Sequence, residues 1–229
     1  MKLFITLLFS TVISMPGWAE EICKQNSGNA ALVVIDMQAY FAERNGAYET
    51  PENKKKIKDL QQQQMDAITK ARQSGIPIIF IEYDLDPESS PTNPNLKQAA
   101  FSYEKTHTFL KDTDGMFDRN NKYRDQLIAY VQKNNIGTLL ITGANGGACV
   151  YQSIKGALNG NCNVVAYNKG IADFNFEDFI YPYAGYYKDM RYHCSNCSFK
   201  ETASIDRLED SMITVQSGAG PTRLRKGTQ

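Results

Sequence analysis

Three residues with reactive side chains stand directly after apolar segments. Asp36 follows the run Ala-Leu-Val-Val-Ile at 31–35, Lys111 follows 106–110, and Cys149 follows the loop Gly-Ala-Asn-Gly-Gly-Ala at 143–148. A carboxylate next to a thiol can take its proton and later return it to a leaving group. A lysine beside both would hold the carboxylate in place and favour an ionised sulfur. The small residues of 143–148 let the backbone bend sharply and approach a ligand. A helix starting near Cys149 would direct unpaired N–H groups at an oxyanion and lower the thiol pKa. Each residue also has a plainer reading: a helix cap for Asp36, a solvated cation for Lys111, a cysteine buried in a tight turn for Cys149. The glycines follow neither Gly-x-Gly-x-x-Gly nor P-loop spacing, so a phosphate cradle is not expected.

For these residues to meet, the elements carrying them must converge. Strand-like apolar runs lie at 30–35, 76–83, 106–110, 138–142 and 163–167, with a last short strand expected at 212–215. Helices are expected from a Thr50-Pro51 start to a Gly75 stop, at 123–132, from about 149 to Gly160, and at 202–211. Residues 84–95 read as a polar, proline-rich loop. Alternating strands and helices specify an α/β protein, a three-layer α/β/α sandwich around a six-stranded, mainly parallel sheet. Ligands bind such sheets beyond the carboxyl ends of the strands, where Asp36, Lys111 and the 143–149 loop all fall.

Composition narrows the function classes. The chain has 229 residues, 25 Lys+Arg against 25 Asp+Glu, and two histidines. The length suits one domain with a single core. Charge balance offers no basic excess for nucleic acid, so the expected partner is a small molecule. Two histidines leave little for a multi-histidine metal site.

With these segments in view, the chain resembles the isochorismatase-like cysteine hydrolases, which include nicotinamidases and N-carbamoylsarcosine amidohydrolases. Ala-Leu-Val-Val-Ile-Asp36-Met-Gln resembles the family's first-strand motif. Phe109-Leu110-Lys111 with Phe117 resembles its lysine segment, and Leu-Leu-Ile-Thr-Gly143 through Cys149-Val150 its nucleophile loop. The resemblance implies an Asp36–Lys111–Cys149 catalytic triad and a non-proline cis peptide at Ala144–Asn145. It also implies an oxyanion site made by the N–H groups of Asn145 and Cys149. Two departures stand out. The family usually has Thr where this chain has Gly146. Nicotinamidases carry an Asp-x-His metal motif where this chain reads Glu82-Tyr83-Asp84-Leu85-Asp86-Pro87, so no catalytic metal and no cofactor are expected.

The ends of the chain add an address. Residues 1–19 have a basic start, an apolar run and small residues before Glu20, the pattern of a secretory signal peptide cleaved after Ala19. The apolar run is too short to span a bilayer. Residues 20–229 then form a single hydrolase domain in an exported, secreted or periplasmic protein, free of the membrane after cleavage. Such a compartment favours disulfides among Cys23, Cys149, Cys162, Cys194 and Cys197. Five is odd, so one thiol stays over, and the sequence does not assign the pairs. For Cys194 and Cys197 a structural disulfide is expected over a redox pair or half a zinc site. Residues 174–199 hold nine aromatics and this Cys pair, and read as an insertion packed on the core or serving as a lid or dimer surface. A homo-oligomer stays open.

The expected activity is hydrolysis of a C–N bond in a small amide or carbamoyl compound. Two other readings are a vinyl-ether hydrolase and a non-catalytic binding protein on the same scaffold.

Overall fold

A computed structural model describes residues 21–24, 28–42, 51–84, 90–173, 194 and 197–205. Six strands form one sheet: β1 (Asn29–Ile35), β2 (Ile78–Tyr83), β3 (Thr106–Lys111), β4 (Ile136–Gly143), β5 (Asn163–Ile171) and β6 (Phe199–Thr202). Their order is β3-β2-β1-β4-β5-β6, and every pairing is parallel. The helices are α1 (Ala39–Ala42), α2 (Pro51–Gln73), α3 (Pro94–Ala99), α4 (Arg124–Lys133) and α5 (Tyr151–Asn159), with a π-turn (Gly146–Val150) leading into α5.

The two central strands are buried on both faces, which suits their apolar runs at 30–35 in β1 and 139–141 in β4. On β1, Ala31, Val33 and Ile35 face the layer of α4 and α5, where Leu127, Val131, Ile154 and Leu158 pack. Leu32 and Val34 face α2, whose Ile57, Leu60, Ala67, Ile68 and Ala71 recur at helical spacing. Burying each Leu or Ile stabilises the fold by about 1.5–3 kcal/mol. Gln64 lies on the same stripe of α2, fully buried, and its Nε2 donates to Gly170 O at 2.9 Å.

Register brings the functional ends together. Ile35 pairs with Ile81 on one side and Gly143 on the other, and Tyr83 pairs with Lys111. The residues after β1, at the end of β3 and after β4 therefore share one edge. Gly143 has φ 134°, and a Cβ there would run into the Ile35 backbone, so this close approach of β4 to β1 requires glycine.

Several elements differ from the sequence expectation. β5 runs on to Ile171, and the π-turn holds Cys149 one turn ahead of α5. The loop expected over 84–95 ends in α3, where Asn93 caps the helix by accepting from Asn95 N at 2.8 Å and Pro94 opens it. The sixth strand is Phe199–Thr202. Its half-buried edge position lets it carry Lys200 and Glu201, which hid it from a search for apolar runs. The helix expected from 202 does not form over 202–205, where Thr202 ends β6. Its remainder, the strand expected at 212–215, the signal segment 1–19 and most of the 174–199 insertion lie outside the described residues.

The cysteines pair as Cys23–Cys162 and Cys194–Cys197, and Cys149 is the free thiol. The first bond ties the segment before β1 to the exit of α5, where Ile22 N and Cys23 N both donate to Gly160 O.

Candidate active site

Asp36 is the first residue past β1. Its N–H donates to Ile81 O at 2.9 Å, and its φ of 51° turns the chain away from the sheet. The residue is 4% exposed, and among the described residues no backbone N–H reaches either carboxylate oxygen. Lys111, the last residue of β3, is fully buried and reaches across the end of β2 to Asp36, with Nζ 2.8 Å from Oδ2. The ammonium also donates to Thr113 O at 3.0 Å and lies 4.1 Å from the centroid of the Tyr83 ring. A buried charge needs such partners, because an unpaired one costs several kcal/mol.

Cys149 completes the cluster, 9% exposed and acting on both charged groups through its sulfur. The peptide bond Ala144–Asn145 is cis, as the family resemblance implies. Beyond it the chain is pinned. Ala144 N donates to Ile35 O and Gly146 N to Ala172 O, both at 3.0 Å. Gly147 N donates to the buried carboxylate of Asp173 at 2.9 Å, and Ala148 N and Val150 N both donate to Asn145 O. Among the described residues, the Cys149 N–H donates to no group outside the turn.

The electrostatics correct one expectation. A helix terminus was expected to lower the Cys149 pKa, but burial pushes the thiol well above its ordinary value. The Asp36 carboxylate adds to the rise, and Lys111 only partly offsets it. Burial and the neighbouring carboxylate thus both oppose ionisation of the sulfur, which is shielded from solvent inside the turn. Burial also raises Asp36, against the pull of Lys111 and Cys149. For Lys111 burial works downward, but the Asp36 carboxylate and the Cys149 sulfur outweigh it and hold the ammonium above its usual value. A raised carboxylate is a better match for a thiol proton than an ordinary one.

Two acids at the site escaped the sequence reading. Asp173 follows Ile171-Ala172, the same signature that marked Asp36, but the fifth strand was expected to stop at 167. Asp114 lies in the loop after β3, and its Oδ1 is 3.8 Å from Cys149 Sγ. Only the fold discloses this contact. Asp84, in the segment where nicotinamidases have a metal motif, pairs with Lys122 at 2.9 Å and accepts from the Tyr123 hydroxyl.

Fold and site together define a parallel α/β protein with an acid, a lysine and a thiol gathered at the strand ends. The Isochorismatase domain matches residues 30–182, and the chain belongs to this hydrolase family. Solved structures agree on the fold. An N-carbamoylsarcosine amidase from Thermoplasma acidophilum aligns with TM-score 0.55 at 21% identity, over 78% of this chain and 99% of its own. A nicotinamidase/pyrazinamidase from Bacillus subtilis aligns with TM-score 0.57 at 17% identity, over 76% and 100%. A ribonuclease from Caenorhabditis elegans aligns with TM-score 0.55 at 18% identity, over 86% and 85%. No curated protein matches the chain.

Proposed function

We propose that this hydrolase cleaves a C–N bond of a small amide or carbamoyl compound through a thioester on Cys149, with Asp36 as the acid and base. The observation that carries the reading is the buried Asp36–Lys111 ion pair set against the chain's free thiol. On substrate binding, Asp36 takes the Cys149 proton and Sγ attacks the carbonyl carbon. The Cys149 N–H, which among the described residues donates to nothing outside its turn, meets the developing oxyanion together with the Asn145 N–H. Asp36 then gives its proton to the departing amine. Water, deprotonated by Asp36, opens the thioester and restores the thiol. Lys111 keeps the carboxylate oriented and balances its charge through both half-reactions. Asp173 holds Gly147 in place.

The protein is proposed to be exported, to lose residues 1–19 in the process, and to work as a single domain of residues 20–229. Support comes from the signal-like start and from the Cys23–Cys162 bond. Among the described residues, no helix is long and apolar enough to cross a membrane.

The test is intact-mass analysis after incubation with a library of small amides. An acyl adduct on Cys149, with ammonia or amine released, is expected in the wild type and not in Cys149→Ala. Turnover that survives in Cys149→Ala would overturn the reading.

A further inference from the structure

We propose that Asp114 makes the Cys149 site selective for ligands with a positive charge beside the reacting carbon, and selective against anionic ones. The proposal rests on Cys149 being the reactive atom of the site.

The charges around the sulfur do not cancel. Asp36 and Lys111 neutralise each other at 2.8 Å, both buried. Asp114 is exposed, and its carboxylate stands 3.8 Å from the same sulfur. Among the described residues no ion pair engages it. Its negative charge also acts on Asp36 and on the thiol, opposing further ionisation of both. Among the described residues, a ligand entering the site from solvent therefore meets the negative charge of Asp114, with no ion-pair partner, beside the reacting sulfur.

The position of that charge is fixed from both sides. Thr113 O accepts from Lys111, and Thr113 Oγ1 donates to Gly115 O at 3.1 Å. Gly115 packs against α5, where a Cβ would lie 3.3 Å from Gln152 O, and Met116 N donates to Ser153 Oγ at 3.1 Å. The carboxylate is carried by a short loop fastened at one end to the catalytic ammonium and at the other to the helix behind the nucleophile.

A unit charge about 5 Å from another, at the boundary of protein and water, changes a rate on the order of tenfold. The favoured substrates are then amides carrying an ammonium or guanidinium group near the scissile bond. A carboxylate at that place, as in an enol-ether acid, is opposed.

Three methanethiosulfonates test this without any substrate: the trimethylammonioethyl cation, the sulfonatoethyl anion and, as a small neutral reference, the methyl compound. Each forms a mixed disulfide with Cys149 and releases methanesulfinate, and mass spectrometry reads the rate. Cys149→Ala controls for labelling elsewhere. The ratio of cation to anion rates cancels any change in the thiol's own reactivity. Asp114→Asn is expected to lower that ratio by about 10- to 100-fold, Asp114→Glu to preserve most of it, and high salt to shrink it in the wild type. A ratio that stays within twofold in Asp114→Asn overturns the proposal. Charged amides then separate the two readings. A ratio that shifts while no amide is cleaved leaves the Asp114 assignment standing and removes the amide-cleavage reading. Amides cleaved without regard to charge do the reverse.

Discussion

Asp36 and Gln38 lie two residues apart, both buried, beyond the same strand, and their surroundings are opposite. Gln38 is saturated: Nε2 donates to Tyr83 O at 3.0 Å and Ser90 O at 2.7 Å, while Oε1 accepts from Tyr83 N at 2.6 Å. It clasps the chain beyond β2 onto the end of β1. Among the described residues, Asp36 receives no backbone N–H and its cation is the Lys111 ammonium. A saturated neutral amide has nothing left to give a substrate. A carboxylate with unspent acceptor capacity, held beside a thiol, can still take a proton. Position in the fold does not separate the two roles, but the state of their hydrogen-bonding capacity does.

The largest test of that contrast is on activity. Asp36→Asn keeps the shape and removes the proposed base, so turnover of any amide found for the enzyme should fall about 10²–10⁴-fold. Gln38→Leu should leave the turnover of the folded fraction much closer to wild type. Steady-state rates corrected for the folded fraction check this. Equal losses in the two variants would erase the distinction.

On stability the order changes. Lys111→Met leaves Asp36 buried without its cation and should cost about 3–5 kcal/mol at neutral pH. Without the ammonium, the Asp36 carboxyl rises still further above its unfolded value. The folded state then holds a proton that the unfolded state has released, so stability falls as pH rises from the unfolded pKa through the folded one. Chemical denaturation of Lys111→Met should therefore show its smallest deficit near pH 4 and its largest near pH 7. Gln38→Leu, which orphans one N–H and two carbonyls, should cost about 1–3 kcal/mol for each group left unsatisfied, with no such slope over that pH range. A deficit in Lys111→Met that does not vary with pH would mean that Asp36 is not the group left behind.

How far the sequence disclosed this arrangement depended on the kind of signal. Asp36, Lys111 and Cys149 were legible because each follows an apolar strand, and parallel topology sends all such ends to one rim. The strands buried on both faces were legible for the same reason. β6 was not, because an edge strand can carry charge. Asp173 carried the same mark as Asp36 but was lost with the end of β5. Asp114 had no mark in the sequence, since its place beside Cys149 depends on the 113–116 loop folding back on α5. The thiol pKa went the wrong way because a helix-terminus argument counts dipoles and leaves out burial, which dominates here.

That reversal yields the smallest but most direct test. A thiol with a raised pKa has less thiolate at any given pH, so its alkylation rate climbs about tenfold per pH unit until the pKa is reached. An exposed cysteine levels off near its free value of about 8.5. For Cys149, the rate with neutral iodoacetamide should still be rising at pH 9, and Lys111→Met, which removes the one charge that lowers the thiol, should slow it further at each pH. A plateau below pH 8 would mean that the resting site stabilises a thiolate. Asp36 would then not be needed to take the proton from sulfur, and its contrast with Gln38 would have to rest on the leaving group alone.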